Sequence, residues 1–110
     1  MDYLLALVTV PAHFAAEELV RALLVKQCIA GANILPAVAT WYRDAEGIHE
    51  TRETLLVCRT LPEHLGHLRA IIRAQVGDDD FEISPMPIQA ANAAYAAWIH
   101  RALTPDQSTT

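Results

Sequence analysis

The stretch from Gly31 to Arg59 constrains the fold more than any other part of the chain. "GANILPAVATWYRD" alternates Ala32, Ile34, Val38, Thr40 and Tyr42 with Asn33, Leu35, Ala37, Ala39 and Trp41. That is strand patterning with apolar residues on both faces. Asp44-Ala45-Glu46-Gly47 supplies turn residues. Ile48 to Arg59 returns as a second strand, polar beside the turn ("HETRET") and apolar further on ("LLVC"). A strand from Gly31 to Arg43 runs about 40 Å at about 3.3 Å per residue. A two-helix layer on a domain of 110 residues does not cover all of that length. The uncovered end carries Trp41 and Tyr42, and an exposed aromatic tip on a long edge invites association. Either the last helix of the same chain covers it, or neighbouring copies pack hairpin against sheet. The second arrangement is expected, with Trp41 and Tyr42 in the interface.

The rest of the chain supplies a sheet and helices to match. "YLLALVTV" is a short continuous apolar run and reads as a buried central strand, broken by Pro11. From His13 to Gln27 the period becomes helical, with Ala16, Leu19, Val20, Leu23 and Leu24 on one face and Ala12 a poor N-cap. Thr60-Leu61-Pro62-Glu63 has the spacing of a capping box. Leu61, Leu65, Leu68, Ile72 and Val76 then form a helical stripe ended by Gly77. "FEISPMPI" reads as a fourth strand, and the shared parity of Pro85 and Pro87 places it at an edge. Asn92 is suited to cap a last helix bearing Tyr95, Trp98, Ile99 and Ala102 on one face. The predicted order is β-α-β-β-α-β plus a C-terminal helix. It is an α+β, ferredoxin-like antiparallel sheet with two helices on one face. A single domain is expected over 1–103, with a polar, disordered tail over 104–110.

Charge and composition exclude several classes. A net charge of −5 with no Lys/Arg run argues against nucleic acid. The apolar run Tyr3–Val10 is too short to span a bilayer, and Asp2 stands where a signal peptide needs positive charge. The expected location is the cytoplasm. Cys28 and Cys58 have no metal-type spacing, read as small core residues, and lie too far apart along the hairpin for a disulfide, with Cys58 opposite about Asn33. Nucleophile elbow, phosphate-binding glycine loop and HExxH are all missing, so no enzymatic activity is expected.

Several of these stretches carry a resemblance. "LVTVP" followed by a helix, "NILPAVATWYR", "LLVCRT", and "MPI" followed by "NAAYAAWI" resemble the CutA proteins of divalent-cation tolerance in order and spacing. The match runs from Leu5 to Leu103. The resemblance implies a ferredoxin-like fold, a compact homotrimer joined by the long hairpins, and a role in tolerance of divalent metal ions. A PII-like trimeric sensor, binding a small ligand between subunits, is the alternative. It calls for a long loop where this chain has the tight "RDAEGI" turn, and for basic residues to meet nucleotide phosphates. Departures from the family are specific. The cysteine expected two positions before "NI" is Gly31. The His-Pro-Tyr-Glu run is replaced by Val76, Gly77, Asp78 and Asp79, while a Glu is kept at Glu82. The Trp after "YR" is Asp44. With Gly31 and Val76 at the Cys and His positions, a copper site does not carry over.

Arg43, Arg59 and Glu82 are the charged residues that stand in or beside apolar strands. Such groups should be paired or line a cleft. They read first as ion pairs between subunits and second as an intersubunit pocket for a small ligand. His64 and His67, three apart on a helix, read as solvated surface, and His49 as a weak ligand candidate. Asp78, Asp79 and Asp80 follow a helix C-terminus. They read as a hydrated loop in preference to a hard-cation site, because consecutive residues point apart whereas calcium loops space their acidic ligands. No cofactor is expected beyond a possible divalent cation.

Overall fold

The computed structural model describes residues 2–77, 81–89 and 91–104. Asp78, Asp79 and Asp80, and the expected tail apart from Thr104, lie outside them. The elements follow the predicted order: β1 (Tyr3–Pro11), α1 (Ala16–Val25), β2 (Gly31–Asp44), β3 (Gly47–Thr60), a 3-10 turn (Pro62–His64), α2 (Leu65–Val76), β4 (Glu82–Ile88) and α3 (Ala93–Leu103). The strands form one antiparallel sheet in the order β2-β3-β1-β4. The proline-bearing β4 is therefore an edge, as its missing donors require.

Helices α1 and α2 cover one face, called the inner face. Ala6, Val8 and Val10 of β1, Leu56 and Cys58 of β3, and Ile83 of β4 pack there against Leu19, Leu23, Leu68 and Ile72. Strict alternation along β1, buried at every second residue, is the signature of a sheet with one packed face. Helix α1 is shorter than its apolar periodicity suggests. Its start is displaced by a turn in which the Phe14 N–H bonds to Pro11 O at 3.0 Å. It ends because Gln27 adopts a left-handed φ of 56°, letting the Cys28 N–H reach back to Leu23 O at 2.9 Å. Gln27 thus fills a position that glycine usually takes.

The capping box does not form. The Thr60 hydroxyl donates to the Cys28 carbonyl at 2.6 Å, and Thr60 belongs to β3. Neither the 3-10 turn nor α2 has a side-chain cap. The other predicted caps are present. Asn92 Oδ1 accepts from the Ala94 and Tyr95 N–H groups, and Gly77 closes α2 at φ 111° with its N–H on Arg73 O.

The hairpin differs from its reading in one respect that matters. Leu35 pairs with Leu55, but Val38 pairs with Glu53. Two residues of β2, Pro36 and Ala37, therefore oppose Thr54 alone, with Ala37 at φ 54°. This is a β-bulge. It slips the register by one, so Cys58 lies opposite Ala32 and not Asn33. It also overturns the simple alternation. Directly paired residues share a face, so Val38, Thr40 and Tyr42 join Asn33 and Leu35 on the outer face. Trp41 joins Ala32 and Ile34 on the inner-face side.

Helix α3 does not cover the hairpin tip. It packs at the opposite end of the sheet, where Ile99 and Leu103 meet Leu61, Tyr3 and Ala30. Tyr95 and Trp98, expected on its apolar face, stay partly exposed; Tyr95 meets the Tyr3 ring edge-on and packs at a tilt against Trp98. The described residues leave two regions uncovered. One is the middle of the outer face, with Leu5 and Leu7, Leu55 and Val57, Leu35, and Met86. The other is the end of the β2–β3 ribbon, which extends past the last pairs of β1 with β3 (Pro11–Glu53) and β4 (Thr9–Glu82). There Trp41 is 66% exposed and Ile48 72%. The long dimension of the chain is 55 Å.

Candidate functional site

The polar residues singled out from sequence occupy three stations. At the ribbon tip, Asp44 Oδ1 accepts from the Glu46 N–H at 2.9 Å and lies 2.8 Å from His49 Nε2. The His49 ring stacks on Tyr42, its direct cross-strand partner, with centroids 5.1 Å apart. The hydrogen bond from His49, then that from the Glu46 backbone, hold the Asp44 carboxyl below its ordinary pKa. The imidazole that sequence left as a weak ligand candidate is thus engaged in bracing the turn. Arg43 stands beside this group, paired across the strands with Ile48, and has no hydrogen-bond or ion-pair partner among the described residues.

At the far end of the sheet, Arg59 donates to the Val57 carbonyl and to Asn33 Oδ1. Trp98 and Arg59 both approach Gly31. A Cβ placed on Gly31 would lie 3.6 Å from Trp98 and 3.8 Å from the Arg59 side chain. The position of the cysteine implied by the resemblance is therefore a glycine roofed by an indole. With valine at position 76 as well, neither place offers a copper donor.

Glu82 stands at the third station, where the sheet narrows from four strands to two. There an open notch of about 720 Å³ is lined by Thr9, His13, Thr51, Arg52, Glu53, Phe81 and Glu82 among others. The carboxylates of Glu53 and Glu82 have no hydrogen-bond or ion-pair partner among the described residues. Arg59 and Glu82 sit opposite Leu5 and Thr9 of β1. That separation is four residues, about 13 Å along the strand. Arg43 projects from the inner-face side beyond both. One chain alone does not assemble Arg43, Arg59 and Glu82 into a site.

Sequence reasoning missed two groupings. His13 and Glu53 share the notch with Glu82, and the signal was Glu53 itself, a carboxylate two residues from Leu55 on the same face. His67, read as solvated, lies with Nδ1 3.3 Å from the buried Cys28 Sγ. Their separation of 39 residues leaves no local pattern to find. Among the described residues no three His, Cys, Asp or Glu side chains are grouped so as to hold a metal ion. No helix there is long and apolar enough to cross a membrane.

Comparison with known proteins follows this geometry. The family described as "CutA1 divalent ion tolerance protein" matches residues 4–102. The protein CutA of Mus musculus is 27% identical over 96 residues, which are 87% of this chain and 54% of the mouse protein. The chain thus spans about half the length of that relative. The solved structure of the divalent cation tolerance protein (Cut A1) from Thermus thermophilus superposes with a TM-score of 0.79 at 28% identity, covering 90% of this chain and 95% of that one. Oryza sativa CutA1 gives 0.85 at 24% identity over 96% and 97% of the two chains, a likeness of fold. The sheet order, the over-long hairpin and the match across almost every element lead to one assignment: the chain belongs to the CutA1 divalent ion tolerance family.

Proposed function

We propose that the protein is a non-enzymatic homotrimer that acts in the response to divalent metal ions, its subunits joined through the hairpin and the outer face of the sheet. One observation supports the assembly: the middle of the outer face is apolar on all four strands and no element among the described residues covers it. Leaving such a surface in water is costly, at about 25 cal/mol per Å² of apolar area. The ribbon supplies the complement. Trp41 and Arg43 project from its inner-face side, and the notch at the base of a neighbour's ribbon holds Glu53 and Glu82, which have no partner among the described residues. A tip-to-notch contact is heterologous, and a heterologous contact that closes on itself makes a ring. The count of three comes from the family. In that ring Arg43 of one copy meets carboxylates of the next, and the notch becomes an intersubunit cleft for a small ligand or a divalent cation. Two buried thiols, both free, suit a reducing compartment such as the cytoplasm. Light scattering of the intact protein at micromolar concentration is expected to give about three times the 12.1 kDa of one chain. A stable monomer would sink this reading.

A further inference from the structure

We propose that Cys28 Sγ, His67 Nδ1 and the main-chain carbonyl of Lys26 form a binding site for a thiophilic divalent cation of the zinc class. The site lies where the loop after α1 meets α2, away from the sheet's outer face and from the notch. It does not rest on the trimer or on any role in metal response.

Three observations converge. First, the donors are already gathered. His67 Nδ1 is 3.3 Å from Cys28 Sγ, and the Lys26 carbonyl oxygen is 3.8 Å from the same sulfur. Zinc binds thiolate at about 2.3 Å, and imidazole or oxygen at about 2.0–2.2 Å. At a tetrahedral angle those lengths put sulfur and its neighbouring donor about 3.5 Å apart. The two observed separations bracket that value, so a small side-chain adjustment admits the ion. Second, the thiol is fixed in place by its own backbone. The Cys28 N–H is held by Leu23 O at 2.9 Å and its carbonyl by the Thr60 hydroxyl at 2.6 Å, while Gln27 takes the left-handed turn that aims the residue inward. Third, access is graded. The sulfur has no exposed surface whereas His67 is at the surface. A bare ion can enter when the imidazole swings aside; a bulky disulfide or alkylating agent cannot.

The chemistry selects the ligand. Lys26 places a positive charge nearby, which opposes hard cations held by charge alone. A metal that bonds to sulfur overcomes it, because the ion displaces the thiol proton: Cys28 S–H gives its proton to solvent, and the sulfur pair and the Nδ1 pair bind the metal. Water completes the shell on the exposed side. Cys58 is the internal control. Its sulfur is likewise shut off from solvent but lies deeper, burial raises both thiols and pushes that of Cys58 up to about 12, and no imidazole among the described residues bonds to it.

The test uses cobalt(II) as a coloured stand-in for zinc on the intact, metal-free protein. The expected result is a near-ultraviolet thiolate-to-cobalt band that saturates at one ion per chain and is bleached by added zinc. Cys28→Ser should abolish the band, Cys58→Ser should leave it, and His67→Gln, at a surface position that keeps the fold, should weaken affinity at least tenfold. Folding of each variant is checked by circular dichroism. If Cys28→Ser is misfolded, the His67→Gln result decides. No thiolate band, a band that survives Cys28→Ser in a folded protein, or affinity unchanged in His67→Gln would each overturn the site.

Discussion

Changing Trp41 to Asp separates the stability of one chain from the stability of the assembly. In the isolated chain the Trp41 ring is 66% exposed, opposite Glu50 on a ribbon with no helix over it. Losing it removes little packing, and the new carboxylate meets Glu50 across the ribbon, a like-charge contact of about 0.2–1 kcal/mol. In the proposed trimer the same ring would be buried three times. Truncating a buried interface tryptophan costs about 2 kcal/mol or more per contact. Over three equivalent contacts this reaches about 6 kcal/mol, a shift of about 10⁴ in the dissociation constant at 1.4 kcal/mol per tenfold. Sedimentation velocity across a dilution series should therefore show wild-type protein holding its mass while Trp41→Asp falls to single chains. Far-ultraviolet circular dichroism should stay unchanged. Val25→Asp is the matched control: an apolar residue 76% exposed on α1, away from the ribbon, whose replacement should leave the mass intact. If Trp41→Asp assembles as tightly as wild type, or if Val25→Asp dissociates equally, the placement of the interface is wrong.

Other consequences can be checked independently. Asn92→Ala removes the acceptor for two N–H groups at the start of α3 and should cost about 1 kcal/mol in urea unfolding; no change would mean that the cap is redundant. His49→Ala should raise the Asp44 carboxyl back to its ordinary value, followed by NMR titration of the side chain. Because Asp44 has a lowered folded-state pKa, the pair supports the tip above the unfolded carboxylate pKa, and that support fades as pH falls through the folded value. An unmoved Asp44 titration in the variant would refute the attribution to His49. Replacing Asp78, Asp79 and Asp80 together by Asn should leave the fold intact or slightly firmer, since carboxylates after a helix C-terminus oppose its dipole. Calorimetric titration that finds one tight cation per chain, lost in the triple variant, would make that loop a metal site instead.

Periodicity made most of this fold legible. The alternation in β1, the helical stripes, the capping Asn92 and the edge prolines of β4 each express a local physical rule, and the molecule follows them. What escaped was decided by contacts between distant residues or by competition between partners. Thr60 has the residue type and spacing of a capping box, but its hydroxyl is taken by the Cys28 carbonyl, a partner 32 positions away. The Cys28–His67 contact joins two helices' ends and has no period to betray it. Tyr95 and Trp98 lie on the apolar side of α3 yet are half uncovered, because α3 packs through Ala96, Ile99 and Leu103. For the candidate site, the residue types were readable and their grouping was not. Arg43, Arg59 and Glu82 fall at three separate stations of one sheet, and only a second copy could bring Arg43 to Glu82.

The bulge at Pro36 and Ala37 gives this hairpin a tolerance to changes in chain length. Two residues face one there, so deleting Ala37 leaves every other cross-strand pair as it is, with Val38 still against Glu53 and Trp41 still against Glu50. No side chain changes face, and a residue held in a left-handed conformation, unfavourable for alanine by about 1–2 kcal/mol, is removed. An extra residue anywhere else between Gly31 and Trp41 would turn over everything beyond it and exchange the faces of Trp41 and Tyr42 at the tip. The strand thus has one joint where its length can vary by a residue without altering what it presents to a neighbour.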